Sequence, residues 1–439
     1  AVERRSIMSI HPTRPRGLAA LLTPIAAATL ALAAQAQTFG TPLNLSNSAA
    51  PSGAGQVAVA AADVYTVWLD TPANNKKQTR FAHSSNGGAS FGSPVNVLVA
   101  RTGGYGPQVA ADGAYVYVAR DAQTKPNGPT QVYFSASGNH GMSFGPEIQL
   151  TSSPGNGATL AAVAAAGSSV HVLWFVPGAT WRLFVSTSGN GGASFTPAVE
   201  VSGTVGFGQG SSMRVLGTSV HVAWSQWVGG FAEVYYIRST DGGASFSAPL
   251  NLSNTAGQNS VFAQLALAGS NVYLGYRETE YRLIRSTDGG ASFGTPVDVS
   301  SGHVSNQGLY GPPGLAASGD VLHYIWHEDV GPQGNYDVFH RSSVDDGANF
   351  GATTNLSASA PASFGLVAAE GPNAYVLWTE QNGAILVRQS VDSGASFAAA
   401  VNVAASGGAD FVAAAPAGVH VGWHDGTPGE VFYRFGSTP

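Results

Sequence analysis

The sequence predicts an all-β fold, a β-propeller of four-stranded antiparallel blades, eight in number with seven as the alternative. Three observations predict it. The stretch "RSTDGGASFGTPVDVS", from Arg285 to Ser300, nearly repeats "RSTDGGASFSAPLNLS", which starts at Arg238. The Phe that closes this turn recurs as Phe91, Phe144, Phe195, Phe246, Phe293, Phe350 and Phe397, at spacings of 47 to 57 residues. Between the turns, short alternating runs rich in Val, Ile, Thr and aromatics are punctuated by Gly, Asn and Ser, with no helical period. A unit of about fifty residues that cannot bury its own faces, repeated around a ring, is the propeller pattern.

Each unit reads as four strands. In the first, the Phe is followed by "PVNVL"; the next unit upstream shows the remaining three as "QVAVAA", "DVYTVW" and "TRFAHS". Phe39 opens "FGTPLNLS", which matches "FGTPVDVS" but lacks the turn, and "EVFYRFGSTP" reaches the strand before a turn. The strand after Phe39 is therefore expected to complete the last blade and close the ring. Zero cysteines excludes a disulfide framework, thiolate metal sites and cysteine catalysis, so packing and ring closure must hold the fold.

Residues 1–36 read as a secretory leader, leaving 37–439 as one propeller domain. Arg4, Arg5, Arg14 and Arg16 precede an apolar run from Gly17 to Ala34 that ends Ala34-Gln35-Ala36, the basic, apolar, small-residue order of a signal peptide. The expected location is secreted, extracellular or periplasmic. No later run is long and apolar enough to span a bilayer, so no membrane insertion is expected. Setting aside those four arginines and Glu3 leaves 15 Lys+Arg against 24 Asp+Glu, a net charge of −9. That excludes the electrostatic footprint of a nucleic-acid binder. A monomer is expected, with a glycan or a protein as ligand.

The turns are "SSNGGASF", "SGNHGMSF", "SGNGGASF", "STDGGASF" twice, "SVDDGANF" and "SVDSGASF". Asp241, Asp288, Asp345 and Asp392 can accept backbone N–H groups of their hairpins, and Asn86, Asn139 and Asn190 keep that acceptor without the charge. The expected role of all seven is structural, with the Phe as an apolar plug between strands. The motif resembles the Asp box, S-x-D-x-G-x-x-[W/F], of bacterial-neuraminidase-repeat propellers, across about residues 37–439. The resemblance implies function on the face opposite the turns. It also raises a sialidase-like exo-glycosidase, which needs three arginines on the sialic acid carboxylate, a Tyr–Glu nucleophile pair and an Asp acid. The family's Arg-Ile-Pro-like motif is missing, and eight blades depart from the six usual in sialidases. Only Arg101, Arg120, Arg214, Arg277 and Arg282 are placed to reach the opposite side. The preferred reading is a binding module for glycans or surface proteins, with the hydrolase and a structural envelope or matrix protein as alternatives. No catalytic residue is assigned.

Two series of positions face that side. Two residues after the aromatic ending the second strand stand Asp70, Ala122, Val176, Gln226, Glu278, Glu328, Glu380 and Asp425. Five are acidic and neighbours around the ring, with Asp329 beside them and Arg120 and Arg277 in flanking positions. These can bind a sugar, a cation or a basic partner, or cap their turns. The second series, Tyr105, Phe207, Phe262, Tyr310, Phe364 and Phe411, precedes the innermost strand, with Tyr105 and Tyr310 the better candidates for stacking on sugars. One further slot alternates His171, His221, His323 and His420 with Tyr65, Tyr117, Tyr273 and Tyr375. A slot indifferent to His or Tyr wants a flat, half-polar ring. His323 and His327 lie four apart, but without H-E-x-x-H and on a strand, so neither a metal nor a cofactor is expected.

Overall fold

The computed structural model describes residues 37–438 apart from 153–156, 179–180, 203–206, 256, 301–310, 332–334, 359–360 and 427–428. The expected leader and Tyr310 lie outside the described residues. The described chain is all β, in eight antiparallel sheets. Blade 1 runs outward from its inner strand Ser52–Ala60 through Asp63–Asp70 and Lys77–Ser84 to Val95–Arg101. Six more blades of the same order span 108–149, 159–200, 207–251, 261–298, 314–355 and 362–404. Blade 8 takes three strands from the C-terminal region (Gly408–Ala415, Gly418–Asp425, Glu430–Ser437) and its outer strand from Thr38–Phe39 and Leu43–Asn44. Phe39 faces Gly436 and Leu43 faces Tyr433 in that antiparallel pairing. Each inner strand touches the next around the circle, and the last, Gly408–Ala415, touches the first. Eight blades close the ring, and the N-terminal strand seals it.

The second strands carry the core. Trp68, Trp224, Trp326 and Trp378 are fully buried where these strands end, and each blade's faces pack in clusters shared with a neighbour. Burying such large rings is the main favourable contribution to a fold without disulfides.

The repeated turn joins blades as well as strands. In blade 4 the Ser239 hydroxyl donates to Asp241 Oδ1 (2.6 Å) and accepts the Gly243 N–H (2.8 Å). Asp241 Oδ1 also accepts the Ser245 N–H, and Oδ2 accepts the Ser245 hydroxyl at 2.6 Å. These hydroxyls hold the carboxyl down at a pKa of about 2. Where Asn replaces Asp the framework survives with one bond reversed, since Asn86 Nδ2 donates to Ser90 Oγ at 2.9 Å. The closing Phe, expected as an apolar plug between strands, lies against a strand of the preceding blade. Phe293 meets Tyr236 of blade 4 edge to face at 4.8 Å, and Phe91 meets Tyr433 across the seam at 4.9 Å. The two glycines differ in kind. Gly242 and Gly243 both have positive φ (69° and 84°), but a Cβ on Gly242 would meet nothing, whereas one on Gly243 would lie 2.4 Å from Thr187 Oγ1 of blade 3. The first position accordingly admits His140, Asp346 and Ser393, all with positive φ, and the second is Gly in all seven turns.

Candidate functional site

The acidic slot opposite the turns is built into the blade. Asp70 Oδ1 accepts the indole N–H of Trp68 at 2.9 Å and the Ser52 hydroxyl at 2.7 Å, and Arg80 lies 3.3 Å from its other oxygen. Gln226 takes the same indole bond from Trp224 (3.0 Å), and Glu328 takes one from Trp326 (3.4 Å). A residue two beyond a Trp on one strand points to the same face, so the side chain returns to satisfy an indole donor that burial would otherwise strand. Glu380 accepts Asn382 Nδ2 at 3.4 Å, Asp329 accepts the Gly331 N–H at 3.1 Å, and Asp425 accepts the Ser406 hydroxyl at 3.0 Å. Glu328, Asp329, Asp70 and Glu380 are buried, and Asp425 is half-buried.

Arg120 is also buried. It donates to the carbonyls of Lys77 (3.1 Å) and Arg101 (3.3 Å) and to the Thr79 hydroxyl, and burial lowers its pKa to about 10. Beside it, burial raises Asp121, which accepts the Tyr105 N–H at 2.7 Å. Tyr105 itself is exposed. Arg101 is clamped by Glu147 at 2.5 Å and lies over the Tyr133 ring. Asp70 lies in blade 1, Arg120 in blade 2, Arg277 and Glu278 in blade 5, and Tyr105 in the segment that joins blades 1 and 2. Phe411 is a core residue between blades 8 and 1. The side chains of Phe207 and Phe364 lie outside the described residues.

Blades 4 and 5 do form a cleft on this side, of about 440 Å3, lined by Trp227, Gln258, Asn259, Arg277, Glu278 and Thr279 with Gly257 and Val261. Blade 4 carries the longest second and third strands of the ring, Ser219–Val228 and Phe231–Ser239. They meet at Gly229-Gly230, whose φ values of 62° and 94° suit a tight hairpin turn matched to strand twist. The extra length lifts Trp227, Val228 and Phe231 into solvent, and Trp227 is 44% exposed. Opposite it, Phe262 takes φ 61°, rare for a bulky residue, where the inner strand shifts register between Val261 and Gln264. Such a bulge re-aims side chains, and here the Phe262 ring lies 4.8 Å from the Arg277 guanidinium. Burial lowers the Arg277 pKa. Glu278 forms the floor: Oε1 accepts Thr255 (2.6 Å) and Ser260 (2.9 Å), and Oε2 lies 3.3 Å from Arg282 Nε. Asn259 Oδ1 accepts the Ala232 N–H at 2.9 Å, tying the loop to blade 4. An indole face, a guanidinium and two amides around one concavity can stack on a sugar ring and hydrogen-bond its hydroxyls. Arg277 and Glu278 stand out in the sequence; Trp227, Gln258 and Asn259 do not, although "WVGGF" places three apolar residues around a Gly-Gly turn.

The His/Tyr slot lies toward the repeated turns and is buried in all eight blades. Tyr117 donates to the Gly167 carbonyl of blade 3 (2.9 Å), whereas His221 and His420 bond Tyr236 and Tyr433 of their own third strands, each at 2.6 Å. Among the described residues, no group of three or more His, Asp or Glu is arranged to hold a metal ion, and no helix is long and apolar enough to cross a membrane.

No protein-family model matches the chain, and no curated protein matches it. Solved structures do. The BP39L lectin from Burkholderia pseudomallei is similar over 77% of this chain and 95% of its own, at 12% identity and a TM-score of 0.50. The polysaccharide lyase Uly1 is similar over 87% and 89%, at 10% identity and a TM-score of 0.52. The Hadza microbial sialidase Hz136 aligns over 74% of each chain at 15% identity, with a TM-score of 0.41. At these identities the likeness is one of fold.

Proposed function

We propose that this chain is an exported Asp-box propeller that binds a glycan in the cleft between blades 4 and 5. The observation that carries the reading is Trp227, a large aromatic exposed at the rim of a cleft whose other walls supply Arg277, Gln258 and Asn259. Trp227 is exposed together with Val228 and Phe231 as an apolar patch beside polar groups, and the apolar face of a sugar is suited to cover it. Two fold neighbours are by name a lectin and a polysaccharide lyase, in keeping with a sugar polymer as ligand. The leader pattern of residues 1–36 supports export, and the turn sequences with their hydrogen bonding support the Asp-box reading. Binding without hydrolysis is favoured because four of the five arginines of the sialidase alternative, Arg101, Arg120, Arg277 and Arg282, are each engaged by neighbouring groups of the fold.

A glycan array followed by calorimetric titration of the best hit tests the proposal. Trp227→Ala is expected to weaken binding by at least about tenfold, since stacking is the principal apolar contact, while the melting temperature stays unchanged. Turnover of a fluorogenic sialoside is not expected. Full affinity in Trp227→Ala puts the ligand elsewhere, and a blank array favours a protein ligand.

A further inference from the structure

The exposed aromatics share one face and one arc of the ring. Among the described residues, the exposed Phe, Tyr and Trp side chains are Tyr105, Trp181, Trp227 and Phe231. Tyr105 stands in the segment joining blades 1 and 2, and Trp181 in the hairpin between the second and third strands of blade 3. Trp227 and Phe231 flank the matching hairpin of blade 4. All four therefore lie opposite the repeated turns, in consecutive blades. The Tyr105 loop is fastened to blade 2. Gly103 and Gly104 have positive φ (65° and 79°), and a Cβ on Gly104 would lie 1.9 Å from the Asp121 carbonyl oxygen. The Gln123 N–H donates to the Thr102 carbonyl at 2.9 Å. The backbone is fixed while the ring is 73% exposed. Trp181 stacks on Phe175 at 5.2 Å, with 18° between the planes. Near it a second cleft of about 340 Å3 is lined by Leu150, Ser152, Trp174, Val176 and Phe184 with Thr151 and Ala198.

The lysines gather beside this arc. The chain has three, Lys76, Lys77 and Lys125, and all stand at the corresponding hairpins of blades 1 and 2. Lys77 Nζ donates to the Gly104 carbonyl at 3.2 Å, next to Tyr105, and Lys76 and Lys125 are exposed. Among the described residues no lysine forms an ion pair. On the same blades Asp70, Glu147 and Glu200 are each set against an arginine, Arg80, Arg101 and Arg182. Rings spaced along an arc suit a chain of sugars, because each stacking contact makes the next one intramolecular. Ammonium groups alongside favour carboxylates or sulfates. We propose that the ligand is a linear acidic polysaccharide that runs from the blade 4–5 cleft over Trp227 and Trp181 to Tyr105, its acidic groups met by the three lysines. This rests on the reading of that cleft as a glycan site and extends it.

Calorimetric titration of the full chain with polygalacturonate, dextran sulfate and neutral dextran tests this, the first two separating carboxylate from sulfate. Binding is expected to at least one acidic polymer, at least about tenfold tighter than to dextran and weaker as salt rises. Size-fractionated oligomers of the preferred polymer should bind more tightly as they lengthen. Tyr105→Ala with Trp181→Ala should remove that gain, and Lys76→Gln, Lys77→Gln and Lys125→Gln together should remove the preference over dextran. Should Trp181→Ala disturb its hairpin, Tyr105→Ala alone decides, since its ring is on the surface. No binding to either acidic polymer, equal affinity for dextran, or no gain with length overturns the proposal. A short oligomer that depends on Trp227 but gains nothing from lengthening leaves the cleft reading in place while this one fails. Failure of the cleft reading shows instead as full affinity in Trp227→Ala.

Discussion

Acid should unfold this protein well above the range in which carboxylates titrate. His171, His221, His323, His327 and His420 are buried with pKa values lowered to about 4, and His340 to about 3, chiefly by desolvation. The unfolded chain protonates them near 6.5. The sign follows directly. Above pH 6.5 both states are neutral and the rings contribute no pH dependence. Below it the unfolded state takes protons that the fold excludes, so stability falls with pH until the folded values are reached. Between pH 7.5 and 5.5 the cost is about 1.4 kcal/mol per ring, on the order of 8 kcal/mol for six. At pH 5.5 the folded rings stay neutral whether their pKa is 3 or 4, so this figure depends on the unfolded value alone. It rivals the whole stability of an ordinary domain, about 5–15 kcal/mol. His424 acts in the opposite direction, because its hydrogen bond to Asp410 raises its pKa, and it offsets part of the loss. The lowered carboxyls of Asp241 and Asp345 add their loss only below pH 4. Guanidinium denaturation followed by circular dichroism from pH 8 to 4.5 should show a steep fall beginning near 6.5. His171→Tyr, which installs the ring used by four other blades, should flatten the fall by about one proton. A midpoint constant down to pH 5, or a fall confined to pH below 4, refutes the reasoning.

Two further outcomes test how the blades are joined. Gly242→Ala should cost about 1–2 kcal/mol for the left-handed backbone alone, and Gly243→Ala about 1–3 more because its methyl group runs into Thr187 of blade 3; equal melting temperatures would remove the inter-blade contact from the explanation. Deleting residues 37–48 strips blade 8 of its outer strand and opens a sheet edge, so scanning calorimetry should show lost cooperativity and aggregation, and a transition like that of the intact domain would refute closure by this strand.

The fold is legible in the sequence because each copy of the turn writes out the contact it makes. Ser, Asp or Asn, Gly and Phe recur since the same hydrogen bonds, and the same neighbouring blade, recur seven times. Even the blade that lacks the turn could be inferred from "FGTPLNLS" and "EVFYRFGSTP". What the copies could not show was where the Phe goes. A hairpin motif read alone does not say which strands the ring will lie between, and Phe293 on Tyr236 is a contact some 57 residues distant in sequence. The acidic slot misleads for a related reason. Five carboxylates aligned around a ring resemble a site, but each is taken up locally: Asp70 and Glu328 accept the buried indole N–H of the Trp two residues before them, Glu278 accepts Thr255 and Ser260, Glu380 accepts Asn382 and Asp425 accepts Ser406. Gln226 doing the same work as Asp70 is the sign that the acceptor, rather than the charge, is what the slot supplies.

Departures from the repeat are therefore more informative about binding than the repeat itself, provided they are not absorbed by a neighbour. The Asp-to-Asn changes in the first three turns are absorbed, because Asn86 reverses one bond and keeps the rest. The exchange of His for Tyr is absorbed too, each ring finding a polar partner of its own: a carbonyl for Tyr117, a hydroxyl for His221, an imidazole for His323 and a side-chain amide for Tyr375. Trp227 is different. It stands where the other blades have shorter second strands, and it places its ring at the rim of a cleft, partly in solvent. A ring of eight similar blades presents eight similar surfaces, and one blade with a lengthened hairpin breaks that symmetry, which is what the proposed ligand site between blades 4 and 5 requires.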